Sequence, residues 1–171
     1  MNVLGIDPGV SETGWAVLES SPGAAVRLVA SGLVKTYPRE PLGERLRAIH
    51  GALAAVLQAH RPDAVAVEEM FFLKAAHSIR STLQARGVIL LAAAQARKPV
   101  SEYNPRTVKL ALTGSGAAAK AQMQRVVQSS LGLPERLRPD DVADAAAIAL
   151  CHLRAQRVKR FKILDRFGAR G

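Results

Sequence analysis

Four acidic residues lie in or beside apolar segments, where exposure to solvent does not readily account for a carboxylate. Asp7 ends an apolar run directly before a Pro-Gly pair, and Glu68 ends a second apolar run. Asp141 and Asp144 lie one helical turn apart, so they share a helix face. If that helix packs beside the strand ends, the four groups can surround hard divalent ions such as Mg²⁺, which prefer oxygen ligands. Two such ions can stabilise the attacking and leaving oxygens of a phosphodiester displacement.

Each carboxylate also has a plain structural explanation. The first turn of a helix favours Asp141 through the macrodipole, although Asp144 lies deeper in an alanine-rich stretch. Glu68 and its neighbour Glu69 could simply end a strand, and alternation alone does not decide which of them faces inward. Asp7 is the hardest to explain this way, because burying a carboxylate is costly unless it is paired or binds a metal.

The elements that must position these groups follow from hydrophobic periodicity. The spacing predicts three strands joined by short Gly-, Pro- and Ser-containing connections, typical of an antiparallel meander. A strand, helix, strand order then indicates parallel pairing. The sequence predicts an α/β fold with a five-stranded mixed sheet, three antiparallel strands followed by two parallel ones, flanked by helices. The predicted strands are Val3–Asp7, Gly14–Glu19, Val26–Thr36, Ala64–Val67 and Pro99–Tyr103, and the predicted helices are Pro41–His60, Ala75–Ala96, one from near Pro105, Ala117–Leu131 and Asp140–Arg157.

The chain is long enough for one domain with its own core, at 171 residues and 49% hydrophobic. We predict a single domain over residues 1–158 and a basic tail over 159–171 that is disordered without a partner. A single cysteine, Cys151, fits a reducing compartment and a buried packing role. Neither a membrane-length apolar run nor a leader is recognisable, so we expect a cytoplasmic protein.

Positive charge is concentrated in the second part of the chain. Residues 1–70 hold six Lys or Arg against eight Asp or Glu, a net charge of −2, whereas residues 71–171 hold eighteen against six, a net charge of +12. An excess of this kind favours a polyanionic partner such as nucleic acid, bound more weakly as salt rises.

The segment after Glu68 combines aromatic and basic residues. Phe71 and Phe72 are adjacent, so in an extended segment they face opposite sides and one of them could stack on an unpaired base, or both could pack in the core. Basic residues suited to phosphate contacts follow here and further along the chain, although any one of them could be a solvated charge. The candidates are Lys74, His77, Arg80, Lys109 and Lys120.

Taken together and in this order, these motifs resemble the RuvC family of bacterial Holliday junction resolvases, over about residues 2–155. The first motif alone is weak, but the full series at these spacings is highly specific. The matching residues are Gly5-Ile-Asp-Pro-Gly9 with Gly14, Val67-Glu68-Glu-Met-Phe71, Gln84-Ala-Arg-Gly-Val88, Pro99-Val-Ser-Glu-Tyr103, Val108-Lys109, Lys120, and Asp141-Val-Ala-Asp144-Ala.

The resemblance implies a ribonuclease H-like fold and a homodimer that nicks two opposed strands of a four-way DNA junction, with Mg²⁺ or Mn²⁺ and two ions per subunit. It implies metal-binding catalytic roles for Asp7, Glu68, Asp141 and Asp144. By the same match Phe71 would stack at the opened crossover, and Lys109 and Lys120 would lie near the scissile phosphate. A branch-migration helicase of the RuvA and RuvB type is implied as a partner.

Three other functions stay open at this point. The Asp7 turn also resembles the phosphate loop of actin-like ATPases and sugar kinases, but those proteins need a second such lobe, for which this chain is too short. A nuclease of the same fold could act on another nucleic acid, such as an RNA–DNA hybrid. A basic binding protein that has lost catalysis would not need the complete set of carboxylates.

Overall fold

The structure of the chain, a computed structural model, describes residues 1–69 and 76–168, with side chains described for 1–69 and 82–159. Five strands form one mixed sheet in the order β3-β2-β1-β4-β5. β1 and β2 pair antiparallel, as do β2 and β3, whereas β4 pairs parallel to β1 and β5 parallel to β4. The strands are β1 (Asn2–Asp7), β2 (Glu12–Glu19), β3 (Arg27–Lys35), β4 (Ala64–Glu68) and β5 (Val100–Tyr103), and the helices are α1 (Leu42–His60), α2 (Ala76–Gln95), α3 (Pro105–Thr113), α4 (Lys120–Ser130) and α5 (Asp140–Gly168).

The predicted architecture is confirmed, including the change from antiparallel to parallel pairing. Residues alternate between the two sheet faces, so each face buries a separate apolar cluster. α1 and α2 cover one face, where Leu4, Ile6 and Val67 are buried. α3, α4 and α5 cover the other face, where Val3 and Ala66 lie.

The start of α5 approaches the sheet at backbone distance where two glycines lie beneath it. A methyl group added at Gly5 would lie 2.1 Å from the carbonyl oxygen of Ala145, and one added at Gly14 would lie 2.0 Å from the carbonyl oxygen of Asp141. Ala149 is fully buried on the same side of the helix. Small residues on both surfaces therefore let the start of α5 lie directly on β1 and β2.

The last helix departs most from the predicted boundaries. α5 runs to Gly168, so the predicted end at Arg157 was wrong. The segment after Arg157 lacks the clean amphipathic spacing on which that prediction was based. A basic tail that is disordered without a partner stays a prediction.

Arg154, on α5, ties the helices of this layer together. Its Nη1 donates to the carbonyl oxygens of Ala111 at 2.7 Å and of Leu112 at 3.3 Å, in the last turn of α3. Its Nη2 lies 3.4 Å from Ser130 Oγ at the end of α4. One side chain thus satisfies helix-terminal groups that would otherwise lack partners within their own helices.

No helix in the described part of the chain has the length and apolarity needed to cross a membrane.

We expect Gly14→Ala to destabilise the protein strongly, because its methyl group would collide with backbone that cannot rotate away. Overpacking typically costs about 1–3 kcal/mol, which corresponds to a loss of roughly 2–10 °C in Tm for a chain of this size. Gly51→Ala is the matched control, since Gly51 is exposed in α1 with open space around it. That change should raise stability slightly through helix propensity. Thermal unfolding monitored by circular dichroism measures both, and an unchanged Tm for Gly14→Ala would contradict the backbone contact.

Candidate active site

Asp7 and Glu68 end two adjacent parallel strands on the same face of the sheet. In β1, Gly5 lies against α5, and alternation places Asp7 on that face two residues later. In β4, Ala66 belongs to the cluster under α5, so Glu68 also lies on that side. Glu69 is exposed. Alternation alone left open which of the two glutamates faces inward, and the packing of α5 shows that it is Glu68.

The first turns of α5 bring the other two carboxylates to this edge. Gly14 pairs directly with Asp7 in the β1–β2 ladder, and the backbone of Asp141 lies over Gly14. Asp144, one turn further along, is partly buried on the same helix. The close approach of helix to sheet therefore places both α5 carboxylates beside Asp7.

The electrostatics of Asp7 reflect this crowding. Burial raises the pKa of Asp7 to about 8, and the negative charges of Glu68, Asp144 and Asp141 add to the shift. A side-chain hydrogen bond with Glu68 favours the protonated form further. Each of the other three predicted carboxylates thus acts on Asp7, which requires all three to lie near it.

Lys120, the first residue of α4, forms ion pairs with the acids at this site. Its Nζ lies 3.1 Å from Asp140 Oδ2 and 3.3 Å from Asp144 Oδ2. Burial works against the charge on Lys120, but the two aspartates outweigh it and raise its pKa. Burial also raises the pKa of Asp144, and the ammonium of Lys120 offsets only part of that rise.

A cleft of about 300 Å³ opens beside these groups. Glu68 and Asp144 contribute carboxylates to its lining, and Lys109 and Lys120 contribute two ammonium groups. The rest of the wall is apolar and comes from α3, α4 and α5. The cleft therefore offers carboxylates and cations to one bound group, as a phosphodiester bound beside metal ions would require.

The donor set fits a hard divalent cation. Its four members are carboxylates, the ligands that Mg²⁺ and Mn²⁺ prefer. Within the part of the chain whose side chains are described, no three acidic, histidine or cysteine side chains are spaced to hold an ion as they stand. The raised pKa of Asp7 reflects the same crowding of carboxylates without a cation, and the charge of a divalent ion bound there would favour the ionised form.

Comparison with known proteins gives this arrangement a family. The sequence model described as "Crossover junction endodeoxyribonuclease RuvC" matches residues 3–152. The chain belongs to the RuvC family. The crossover junction endodeoxyribonuclease RuvC of Endomicrobium trichonymphae is 48% identical over 153 residues, which are 90% of this chain and 80% of that protein.

Solved structures agree with the family. Thermus thermophilus RuvC has a TM-score of 0.86 at 43% identity, over 93% of this chain and 97% of that one. T. thermophilus RuvC in complex with a Holliday junction substrate has a TM-score of 0.89 at 43% identity, over 93% and 96% of the two chains. The predicted ribonuclease H-like fold and the predicted RuvC relationship are confirmed, and RuvC membership implies a nuclease dependent on a divalent metal ion.

The predicted DNA-contact residues fall into two groups. Lys109 and Lys120 line the cleft. Lys120 also forms the ion pairs with Asp140 and Asp144. The other five cannot be placed at the site: Phe71, Phe72 and Lys74 lie outside the described residues, and His77 and Arg80 lie in α2 with side chains outside the described part.

Two features of the RuvC site escaped the sequence reasoning. Asp140, the first residue of α5, shares the ammonium of Lys120 with Asp144. Tyr103, which pairs with Glu68 in the β4–β5 ladder, hydrogen-bonds through its hydroxyl to Nδ1 of buried His152 at 2.9 Å. No local pattern signals either contact, because each joins elements that are distant in sequence.

The raised pKa of Asp7 predicts a pH-dependent stability in the absence of metal. Between the unfolded pKa near 4 and the folded pKa of about 8, the folded state holds a proton that the unfolded state releases, so stability falls as pH rises. Asp7→Asn is neutral at every pH. We therefore expect this variant to have a higher Tm than the wild type at pH 8 in EDTA, with a smaller difference at pH 5.

Glu135→Gln removes an exposed carboxylate elsewhere and serves as the control. Differential scanning fluorimetry across the pH range measures the effect. A Tm advantage of Asp7→Asn that is the same at pH 5 and pH 8 would argue against the crowded carboxylate.

Proposed function

We propose that this protein resolves four-way DNA junctions by hydrolysing phosphodiester bonds in two opposed strands, in homologous recombination and DNA repair. The products would be 5′-phosphate and 3′-hydroxyl ends that a ligase can seal. The observation that carries the proposal is the convergence of Asp7, Glu68, Asp141 and Asp144, from three separate elements, on one sheet edge beside two lysines. The relationship to T. thermophilus RuvC, whose structure was solved with a Holliday junction substrate, supports the choice of DNA.

Asp7, Glu68, Asp141 and Asp144 would hold Mg²⁺ or Mn²⁺, two ions per subunit. Such ions activate a water molecule for in-line attack on phosphorus and stabilise the leaving oxygen. For this purpose Asp7 must give up its proton, which the approach of divalent charge favours. The remaining carboxylates share the coordination and keep the ligand set composed of oxygen.

Lys109 and Lys120 would bind the phosphate that is cut. Both line the cleft that contains Glu68 and Asp144, so a phosphodiester bound there would meet two ammonium groups beside the acids. Lys120 would exchange an aspartate for a phosphate oxygen, since its present partners are carboxylates. This places negative charge of the DNA against fixed positive charge without reading the sequence.

The two glutamates at the end of β4 provide a sharp test. Glu68→Gln should slow single-turnover cleavage of a mobile-core junction by about 100-fold or more, because a neutral amide would hold a divalent ion less well than the carboxylate does. Glu69→Gln, at the exposed neighbouring position, should cleave at the wild-type rate. Asp7→Asn should bind the junction and fail to cut it.

Cleavage is measured with Mg²⁺ or Mn²⁺ on a labelled junction, beside duplex, fork and RNA–DNA hybrid controls. Paired, ligatable nicks in the junction alone are the expected result. Equal cleavage of the hybrid would favour the alternative nuclease, and full activity of Glu68→Gln would contradict the role given to that carboxylate.

We also infer that the enzyme is a homodimer, since two equivalent sites match a junction with near two-fold symmetry. α2 supports this inference with an uncharged stripe along one side. Leu83, Gly87 and Leu91 follow at four-residue intervals and are all exposed. A second copy related by a two-fold axis would bury the same stripe on both subunits. A cytoplasmic location and a branch-migration helicase of the RuvA and RuvB type complete the proposal.

Leu91→Lys should disrupt this dimer, because the interface would acquire one lysine from each subunit, both facing apolar surface. Light scattering after size exclusion is expected to give the monomer mass, and junction cleavage should lose its paired character. Leu42→Lys changes an exposed leucine on α1 and should stay dimeric. If Leu91→Lys remains dimeric with paired cleavage, the interface lies elsewhere.

A further inference from the structure

The turn between β1 and β2, which directly follows Asp7, is held by donors from outside it. Thr13 Oγ1 donates to the carbonyl oxygen of Gly9 at 2.5 Å, and Thr36 Oγ1 donates to that of Val10 at 2.5 Å. The backbone N–H of Thr36 donates to the carbonyl oxygen of Ser11 at 2.9 Å. Three consecutive carbonyl groups are thus fixed from β2 and from the residue after β3.

Arg45, in the first turns of α1, extends this set of contacts. Its Nε donates to Thr36 Oγ1 at 2.8 Å, and its Nη2 donates to Ser11 Oγ at 2.9 Å. The hydroxyl of Thr36 therefore accepts from Arg45 and donates to Val10 at the same time. A hydrogen bond from a charged donor strengthens the hydroxyl as a donor in turn.

Packing alone does not explain these hydroxyl groups. Thr13 is 0% and Thr36 3% exposed, and with His152 they are the buried polar residues of the described part of the chain. Valine has nearly the same shape, and burying it would carry no cost for an unsatisfied hydroxyl. Two of these three buried polar side chains thus hold the one short turn that follows the central carboxylate.

We propose that Thr36 is a positioning residue for cleavage, acting with Thr13 and Arg45 by fixing the turn so that Asp7 is presented in a single orientation. This inference rests on the proposed junction cleavage. Asp7 is joined to the turn through Pro8, so a shift of the turn changes the position of the Asp7 carboxylate directly. Misplacement of a reacting group by about 1 Å can cost roughly 100-fold in rate.

The test compares two replacements of the same residue. Thr36→Val keeps the shape and removes the hydroxyl, whereas Thr36→Ser keeps the hydroxyl and removes a methyl group. We expect Thr36→Val to slow single-turnover cleavage by about 10-fold to 100-fold at unchanged junction affinity, and to lower Tm because the Val10 carbonyl and Arg45 Nε lose a partner. Thr36→Ser should recover most of the rate although it packs less well.

A role of Thr36 in packing alone predicts the opposite order, with Thr36→Ser, which leaves a small cavity, more impaired than Thr36→Val. That order, or a wild-type cleavage rate for Thr36→Val, would overturn the proposal. Arg45→Ala and Arg47→Ala form a second matched pair on α1, since each removes one positive charge. Arg47 is exposed and paired with Glu44, away from the turn. Only Arg45→Ala should slow cleavage, and an equal loss in both variants would mean that charge alone is responsible.

A measurement independent of activity separates this inference from the proposed function. Hydrogen exchange of the peptide that covers residues 7–13 should be faster in Thr36→Val than in the wild type and unchanged in Arg47→Ala. Exchange that is equal in Thr36→Val and wild type overturns the positioning role. If the wild-type protein itself fails to cut junctions, the proposed function fails, and the exchange result alone decides whether the hydroxyl holds the turn.

Discussion

The direct contact of the α5 backbone with β1 and β2 is the constraint on which the site depends. Gly5, with Ala145 and Ala149 opposite it, and Gly14, beneath the backbone of Asp141, remove the layer of side chains that normally separates a helix from a sheet. Only at this distance can acids from the first turns of a helix meet acids at strand ends. The fold therefore gives up side-chain packing at one place in order to bring four carboxylates together.

Carboxylates held this close repel one another, and two features of the site reduce that repulsion. Between Asp7 and Glu68 the charge is reduced by a retained proton, which the raised pKa of Asp7 records. Around Asp144 the charge is balanced by the ammonium of Lys120. Both arrangements would change when a metal-dependent RuvC nuclease binds its ion. A divalent ion can replace the proton on Asp7 and compete with Lys120 for Asp144.

Much of this arrangement can be read from the sequence, because local patterns determine it. Strand ends, alternation and the three-residue spacing of Asp141 and Asp144 predict the five-stranded mixed sheet and the four candidate carboxylates. The choice of Glu68 over Glu69 could not be made this way, since it depends on which face α5 covers. The end of α5, the pairing of Lys120 with Asp140 and the buried threonines around the Asp7 turn were missed for the same physical reason: each is decided by contacts between distant segments. The roles of the acids and the contacts of Phe71 and Phe72 with DNA stay predictions.

Arg154 connects the three helices that carry four of the charged groups of the site. Because one guanidinium on α5 binds the ends of both α3 and α4, the helix that carries two of the acids also anchors the helices that carry Lys109 and Lys120. The two aspartates and the two lysines thus belong to one connected layer of helices, which α5 seats directly on the sheet that bears Asp7 and Glu68. The spacing between the acids and the lysines is therefore fixed within the helix layer itself, and does not depend on a separate contact of each helix with the sheet.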